Sequence, residues 1–289
     1  MEREFSWMPL GKGHSYVSGV DEQAELDMQW PQWRKFVEET GCLPPLDDRT
    51  VESAVRMDLA PKWIIDGVET VRRFGGEAWG VEDDVDELPL GSIVVKPRWN
   101  AYGLAHGARI WEWNSASDEG TGPHPVLNSD EMCQSKYTGC HLSIDFAMRS
   151  GLVLWGIQAT GFPTLGRFGR FSQWTVEAGA PSVFNGAVWP RHFTDAMEIA
   201  LPRYTGVVNA ELIEGKVIEV HFRPSLEFFP LYGEVAVRAL MEAACGSASI
   251  GPPPVSGGVM QVIARGTRRV NVRREFGEWS WRRSLIYNL

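Results

Sequence analysis

The most informative segment lies in the second half of the chain: Val207-Val-Asn-Ala-Glu-Leu-Ile-Glu-Gly-Lys-Val-Ile-Glu-Val-His-Phe-Arg223. Apolar residues recur on both sides of Glu214-Gly215, and a turn residue followed by glycine is typical of a tight β-hairpin. The sequence therefore predicts two antiparallel strands, Val207–Ile213 and Lys216–Phe222, in which Glu211 lies nearly opposite Glu219.

Side chains alternate between the two faces of a strand, so this hairpin is predicted to have one charged face and one apolar face. The apolar face carries Ile218, Val220 and Phe222, and the charged face carries Glu211, Glu219, His221 and Arg223. Two facing carboxylates repel each other, and a divalent cation between them removes the repulsion. A guanidinium nearby suits a phosphate. A solvated face with Glu–Arg pairs explains the same residues, and the sequence leaves both interpretations open.

A second candidate lies at the end of the predicted buried strand Ser92–Pro97, where Lys96 follows Ile93-Val-Val95. A bound phosphate would explain a lysine there, because burying an unpaired ammonium is costly. Gly103 and Gly107 follow in a loop, where glycines let backbone N–H groups approach phosphate oxygens. A lysine that simply emerges at a strand end is the alternative.

The third candidate is the segment from Gln134 to Asp145, which is predicted to enter a strand–turn–strand unit. Gln134 could pair with the edge of a heterocycle, and His141 could contact a ribose hydroxyl. An ordinary hairpin with a polar outer face fits the same residues.

Read in order, these segments resemble the ATP-grasp superfamily over roughly residues 62–225. Val95-Lys96-Pro97 resembles the strand that ends in a Lys-Pro pair, Gly103 and Gly107 fit the flap, and Gln134–Gly139 with Asp145 resembles the hinge. Glu211, Glu219 and Arg223 resemble the final Glu-(x)n-Glu-x-Asn-x-Arg hairpin. Lys62, before a helix and Gly75-Gly76, resembles an earlier phosphate-contacting lysine.

The resemblance implies an α+β, ATP-grasp-like fold in which two α+β lobes clasp a nucleotide between antiparallel sheets. Four regions follow from it: an irregular N-terminal region (1–60), a small lobe (61–130), a large lobe with the metal hairpin (131–245) and closing strands (246–289). It also implies an ATP- and Mg²⁺-dependent ligase that activates a small-molecule or peptide carboxylate as an acylphosphate for attack by an amine.

The resemblance also implies site residues. Lys96 and Arg223 would be catalytic, and Arg167 and Arg170 could bind the carboxylate substrate. ATP would contact Lys62, Lys96, Gly103, Gly107, Gln134 and His141, and the metal would be held by Glu211, Glu219 and His221. The chain departs from the pattern at three positions: Ser135 replaces the hinge acid, His141 the ribose-contacting acid, and His221 the ligand Asn.

These departures keep a second function open, a non-catalytic binding or structural protein on a degenerate ATP-grasp scaffold. A metal-dependent hydrolase that uses the histidines ranks last, because no H-E-x-x-H or H-x-H pair is present.

Composition restricts the classes further. The net charge of −9 makes general nucleic-acid binding unlikely, since that function needs a basic surface. The four cysteines contain no C-x-x-C pair, and no apolar run approaches the roughly 20 residues that span a bilayer. With no signal peptide expected, a reducing cytoplasm and free thiols are the default.

Local periodicity predicts helices over 31–40, 48–57, 61–73, 194–204 and 231–244, and closing strands over 259–264, 270–274 and 279–286.

Overall fold

The computed structural model describes residues 30–42, 61–84, 88, 91–98, 108–113, 127–164, 171–178, 191–247, 251–262, 268–273 and 284–285. The predicted helix over 48–57 lies outside these ranges, as do Gly103, Gly107, Arg167 and Arg170.

The first sheet is a small antiparallel one in the first half of the chain. Its strands are β1 (Ala78–Trp79), β2 (Gly91–Pro97), β3 (Arg109–Trp113) and β4 (Glu131–Ser135), in the order β1-β4-β2-β3. The side chains of Ile93 and Val95 are fully buried in the core of this sheet. Since neighbouring side chains alternate, Lys96 points to the opposite face.

The second sheet is larger and also antiparallel. Its strands are β5 (His141–Arg149), β6 (Leu152–Pro163), β7 (Phe171–Val176), β8 (Gly206–Ile213), β9 (Lys216–His221), β10 (Gly258–Val262), β11 (Arg268–Arg273) and β12 (Ser284–Leu285). The spatial order is β12-β11-β10-β7-β6-β5-β8-β9, so β9 is an edge strand. The predicted hairpin is therefore β8–β9, and it closes one end of this sheet.

Helices cover both faces of the large sheet. They are α1 (Trp33–Thr40), α2 (Gly67–Arg73), α3 (Arg191–Ala200), α4 (Phe229–Tyr232) and α5 (Glu234–Ala244). The core on one face contains α1, α4 and α5, and the core on the other contains α3 and the 3-10 turn Lys62–Ile65 that precedes α2. Among the described helices, none is long and apolar enough to cross a membrane.

Two predicted helices are interrupted, and each interruption has a local cause. The segment over 61–73 divides at Asp66, whose backbone is extended and whose carboxylate accepts from the Val68 N–H to cap α2. The segment over 231–244 divides at Gly233, where φ is 82°. A positive φ is a conformation that glycine tolerates and a helix does not. The predicted helix over 194–204 lies instead at Arg191–Ala200, so Tyr204 falls beyond its end.

The expectation of free thiols is wrong for two of the four cysteines. Cys42, just after α1, and Cys245, just after α5, form a disulfide with a Cα–Cα distance of 6.2 Å. The same two helices are joined by an ion pair of 2.8 Å between Arg238 and Glu39. The disulfide thus fastens α1 to the helix that packs against β5 and β8. Cys133 and Cys140 remain free.

Replacing both Cys42 and Cys245 by Ser is expected to lower the free energy of unfolding by about 2–4 kcal/mol. The cross-link joins residues 203 positions apart, so its loss enlarges the conformational freedom of the unfolded chain. Urea unfolding followed by tryptophan fluorescence measures the difference, with the exposed free thiol variant Cys140→Ser as the control. Equal unfolding midpoints for the double variant and the control would contradict the assignment.

Candidate active site between the two sheets

The β8–β9 hairpin presents its carboxylates in register. Its turn residues Glu214 and Gly215 have φ values of 55° and 74°, as a tight hairpin turn with two positive φ angles requires. Glu211 is the direct cross-strand partner of Glu219.

A bulge lies between the turn and these carboxylates. Leu212 pairs with Val217 while Glu211 pairs with Glu219, so Ile218 is an extra residue on β9. A bulge leaves its extra residue without a ladder partner. Val217 and Phe222 are therefore buried in the core on one face, while Glu219 is turned to the face of Glu211.

Three potential metal ligands converge on this face. One ligand atom from each of Glu211, Glu219 and His221 lies within 4.8 Å of the other two. The carboxylate side chains are 24% and 23% exposed, whereas His221 is buried. Its Nε2 lies 3.7 Å from an oxygen of Glu219. We call these three residues the acidic cluster.

His141 adjoins the cluster from β5. Its Nε2 lies 3.0 Å from Glu211 Oε2, and its ring packs edge-on against Phe171 with 5.2 Å between the ring centres. Trp174 lies on the same imidazole at 5.4 Å. Each glutamate of the acidic cluster is thus next to one histidine.

Lys96 reaches the hairpin from the small sheet. Its Nζ donates a hydrogen bond to the carbonyl of Ile218, the bulge residue. Burial lowers the pKa of Lys96, while the nearby charges of Glu219 and Glu211 act in the opposite direction. The ammonium therefore lies beside the acidic cluster in a partly desolvated position.

The carboxylates of the cluster are held in their charged forms. Burial by itself would raise the pKa of Glu219, but the charges of His221, Lys96 and Arg223 outweigh it and lower the pKa. The pKa of Glu211 is also lowered. Burial alone would raise it, and His141 contributes most to lowering it. Charged carboxylates are the form that binds a cation.

Gln134 supports the hairpin from the strand next to Lys96. The side chain is buried, and its Nε2 donates to the carbonyl of Val217 at 2.9 Å. Because β9 is an edge strand, its outward carbonyls are free to accept such bonds. Two neighbouring carbonyls of β9, those of Val217 and Ile218, thus bind two side chains of the small sheet.

Two other predicted site residues, Arg223 and Lys62, differ in their burial. Arg223 lies just after β9 and is half-buried, with its charge acting on Glu219. Lys62 is exposed at the first position of the 3-10 turn. Within the described ranges, no hydrogen bond or ion pair joins Lys62 to Lys96 or to the acidic cluster.

Arg98, two residues after Lys96, anchors the end of β2. Its guanidinium binds both oxygens of Asp66 at 3.0 and 2.7 Å and both oxygens of Glu82 at 2.6 and 2.7 Å. These bonds raise the pKa of Arg98. Because Asp66 also caps α2, the end of β2 that carries Lys96 is fixed to that helix.

A buried polar network beneath the acidic cluster is not evident from the motifs. It contains Ser143, Asp145, Asn209, Ser225 and Tyr232, all at most 2% exposed. The resemblance drew attention to Asp145 alone. The available signal was a polar residue at every second position, His141-x-Ser143-x-Asp145 on one strand and Asn209-x-Glu211 on another.

Asp145 is the centre of this network. Its carboxylate accepts from the Ser225 N–H, from Tyr232 Oη at 2.9 Å and from Asn209 Nδ2 at 3.0 Å. Burial raises the pKa of Asp145 to about 7, against the opposing effect of these three donors.

Comparison with known proteins yields no match to a protein family profile and none to a curated protein. Three solved structures are similar in fold. A putative ATP-grasp superfamily protein from Archaeoglobus fulgidus shares 14% identity with a TM-score of 0.41, covering 68% of this chain and 57% of that one. The L-amino acid ligase from Bacillus licheniformis shares 16% with a TM-score of 0.48, covering 87% and 70%.

The N5-carboxyaminoimidazole ribonucleotide synthetase from Thermotoga maritima shares 14% with a TM-score of 0.44, covering 85% of this chain and 61% of that one. The chain therefore spans less than two thirds of the length of two of these three proteins. At these scores the likenesses carry no argument about this chain. Its own elements, two antiparallel sheets with helices, make it an α+β protein, with Lys96 on a strand of the small sheet and the carboxylate hairpin in the large one.

Proposed function

We propose that the chain binds ATP with a divalent cation between the small sheet and the β8–β9 hairpin, and that it activates a carboxylate as an acylphosphate. The observation that carries this proposal is the meeting of Lys96 from one sheet with the acidic cluster of the other. A partly buried ammonium beside two carboxylates provides both charges that a metal–phosphate group needs.

The residues fit a divalent cation. Glu211 and Glu219 are direct cross-strand partners, and like charges in that position repel. With His221 they offer two oxygen ligands and one nitrogen ligand within 4.8 Å of one another. Mg²⁺ accepts one or two carboxylates and completes its shell with water and phosphate oxygens. Bound there, the cation would neutralise charge on the phosphate oxygens.

The other roles follow from charge and position. Lys96 would hold phosphate oxygens, and Arg223 would stabilise the phosphoryl group as it moves to the carboxylate. In that step a carboxylate oxygen of the substrate bonds to the γ-phosphorus and ADP leaves. An amine then attacks the acyl carbon, and inorganic phosphate leaves as the amide forms. Gln134 and His141 would border the nucleotide, and Lys62 stays a candidate phosphate contact on the resemblance alone.

One observation favours the alternative of a non-catalytic protein. His141 and His221 already accompany the two glutamates, at 3.0 and 3.7 Å. Each glutamate thus already has a side-chain neighbour within the protein, as it would in a purely structural polar cluster.

Thermal unfolding with Mg·ATP separates the two functions. A ligand at 100 times its Kd adds about 2.7 kcal/mol to the free energy of unfolding, so the wild-type protein is expected to melt at a clearly higher temperature. Lys96→Met is expected to weaken Mg·ATP binding about 10-fold or more, since the variant lacks the ammonium that would meet the phosphates. Isothermal calorimetry measures the affinity.

Lys216→Met is the matched control. Lys216 is on β9 and, like Lys96 on β2, its ammonium donates to a backbone carbonyl, that of Gly75 at 3.1 Å. Unlike Lys96, it is exposed. The absence of any shift with ATP, with or without cation, would refute the proposed function.

The ligase step has its own test. An acylphosphate is trapped by hydroxylamine as a hydroxamate, so the protein is incubated with Mg·ATP, hydroxylamine and pools of amino acids and other small carboxylates. Hydroxamate and ADP formed in equal amounts, and lost in Lys96→Met, would support the ligase. Tight ATP binding without either product from any pool would favour the binding-protein alternative.

A further inference from the structure

The face of the large sheet that carries the acidic cluster continues inward as a row of buried polar side chains. Ser143 on β5 is the cross-strand partner of Glu211 on β8. Asn209 lies two residues before Glu211 on β8, and its partner on β5 is Asp145. On the other side of β8, Asn209 is the direct partner of His221. Residues two apart on a strand share a face, so Asn209 lies on the same face as the acidic cluster, one rung further in.

The carboxamide of Asn209 is fixed by its nitrogen. Nδ2 donates to Asp145 Oδ1 at 3.0 Å and to Ser143 Oγ at 3.0 Å, and both acceptors are on β5. Asp145 is itself held by Ser225 and Tyr232. The two donors of the amide are thus used, and its orientation is determined by a network with no exposed member.

The oxygen of the same carboxamide has no such partner. Asn209 Oδ1 is buried and accepts no hydrogen bond from any residue in the described ranges. Buried acceptors without a partner are uncommon, because an unsatisfied buried acceptor destabilises the folded state. With the nitrogen drawn toward β5, the oxygen is turned toward β9, where His221 is the cross-strand neighbour.

We propose that Asn209 Oδ1 is a further ligand of the cation held by Glu211, Glu219 and His221, and that Asp145 and Ser143 position it. This inference rests on the proposed cation site. A carboxamide oxygen is a neutral, hard ligand of the kind that Mg²⁺ and Mn²⁺ accept. Glu211, Glu219 and His221 offer two oxygen ligands and one imidazole nitrogen. The carboxamide would add a third oxygen ligand without adding a third negative charge.

The test measures Mn²⁺ binding to the purified protein without nucleotide, from the electron paramagnetic resonance signal of free Mn²⁺. Asn209→Ala is expected to raise the Kd for Mn²⁺ about 10–100-fold, the range seen when support of a metal site is lost. The matched control is Tyr232→Phe, which removes one donor of the same buried network and leaves both acceptors of the Asn209 amide in place. It is expected to change the Kd less than threefold, whatever its effect on the melting temperature.

A second variant keeps the proposal testable if Asn209→Ala fails to fold. Asn209→Asp is isosteric and brings a charge next to Asp145, so its melting temperature without cation is expected to fall. If residue 209 binds the cation, Mn²⁺ raises the melting temperature of this variant by more than it raises that of the wild type. An equal or smaller rise would overturn the inference.

The outcomes separate this inference from the proposed function. If the wild type and Asn209→Ala bind Mn²⁺ equally, Asn209 is not a ligand and the acidic cluster stands without it. If Asn209→Ala and the control variant weaken Mn²⁺ binding equally, the network is structural and the inference is wrong. If the wild type binds neither Mn²⁺ nor Mg²⁺, the cation site itself falls, and the inference with it.

Discussion

Glu219→Gln is expected to raise the Kd for Mg·ATP by about 100-fold or more, the upper end of what loss of a metal-site residue causes. His221, Lys96 and Arg223 all lower the pKa of Glu219, so its carboxylate is charged where a cation would bind. The isosteric amide removes the charge that would hold the cation and leaves the shape of the strand unchanged. Calorimetry with and without Mg²⁺ measures the affinity.

Two comparisons make the Glu219→Gln result specific. Glu214→Gln changes another glutamate of the same hairpin, which is exposed at the turn and accepts from Thr138 Oγ at 3.2 Å. It is expected to bind Mg·ATP as the wild type does. Cation-free ATP binding should be affected little in Glu219→Gln. Unchanged Mg·ATP affinity in a folded Glu219→Gln protein would show that the hairpin holds no cation.

Asp145→Ala is expected to lower the free energy of unfolding by about 3–5 kcal/mol. The carboxylate is fully buried and accepts from Ser225, Tyr232 and Asn209. Its removal leaves three buried donors without an acceptor, and each such group costs about 1–3 kcal/mol, with partial relief from relaxation. Urea unfolding monitored by far-ultraviolet circular dichroism gives the difference.

Tyr232→Phe provides the scale for the Asp145→Ala result. It removes one hydrogen-bond donor to Asp145 and leaves the other bonds of the network in place. The free energy of unfolding is therefore expected to fall by about 1 kcal/mol. If Asp145→Ala costs no more than Tyr232→Phe, the carboxylate is not the centre of the network. A loss of Mg·ATP affinity in Asp145→Ala beyond that of Tyr232→Phe would connect the network to the site.

The part of the fold that follows from local sequence is the hairpin. Glu214-Gly215 permits the two positive φ angles of the turn, and the alternation of residues on each side predicts both strands. The bulge at Ile218 could not be predicted in this way. A regular register from the turn, Ile213 with Lys216 and Leu212 with Val217, would place Ile218 opposite Glu211, and only the extra residue brings Glu219 opposite Glu211.

Helix boundaries were predicted less well than helix existence. Periodicity continues through Asp66 and Gly233, although the chain changes direction at both. The capping bond of Asp66 to Val68 is local, but its arginine partner becomes visible only when Arg98, 32 residues away, is brought next to it. Short-range patterns do not contain that information.

The contacts that assemble the site are long-range, and spacing alone could not give them. Cys42 and Cys245 pair across most of the chain. Lys96 and Gln134 meet β9 at residues 122 and 83 positions away. The resemblance to a known family placed these segments in one site, whereas their residue types alone were compatible with solvated strands. Asn209 escaped notice because the alternation Asn209-x-Glu211 is also that of an ordinary strand with a polar outer face.

The bond from Lys96 to the Ile218 carbonyl has a consequence for how a ligand would enter. Its acceptor is a neutral backbone oxygen, freed from the ladder by the bulge, rather than a carboxylate. An incoming anion would therefore exchange places with an uncharged group and would break no salt bridge. The Lys96 amine already reaches from the small sheet to the large one. To bind an anion, it would only have to exchange the Ile218 carbonyl for the anion, which is a short movement of one side chain.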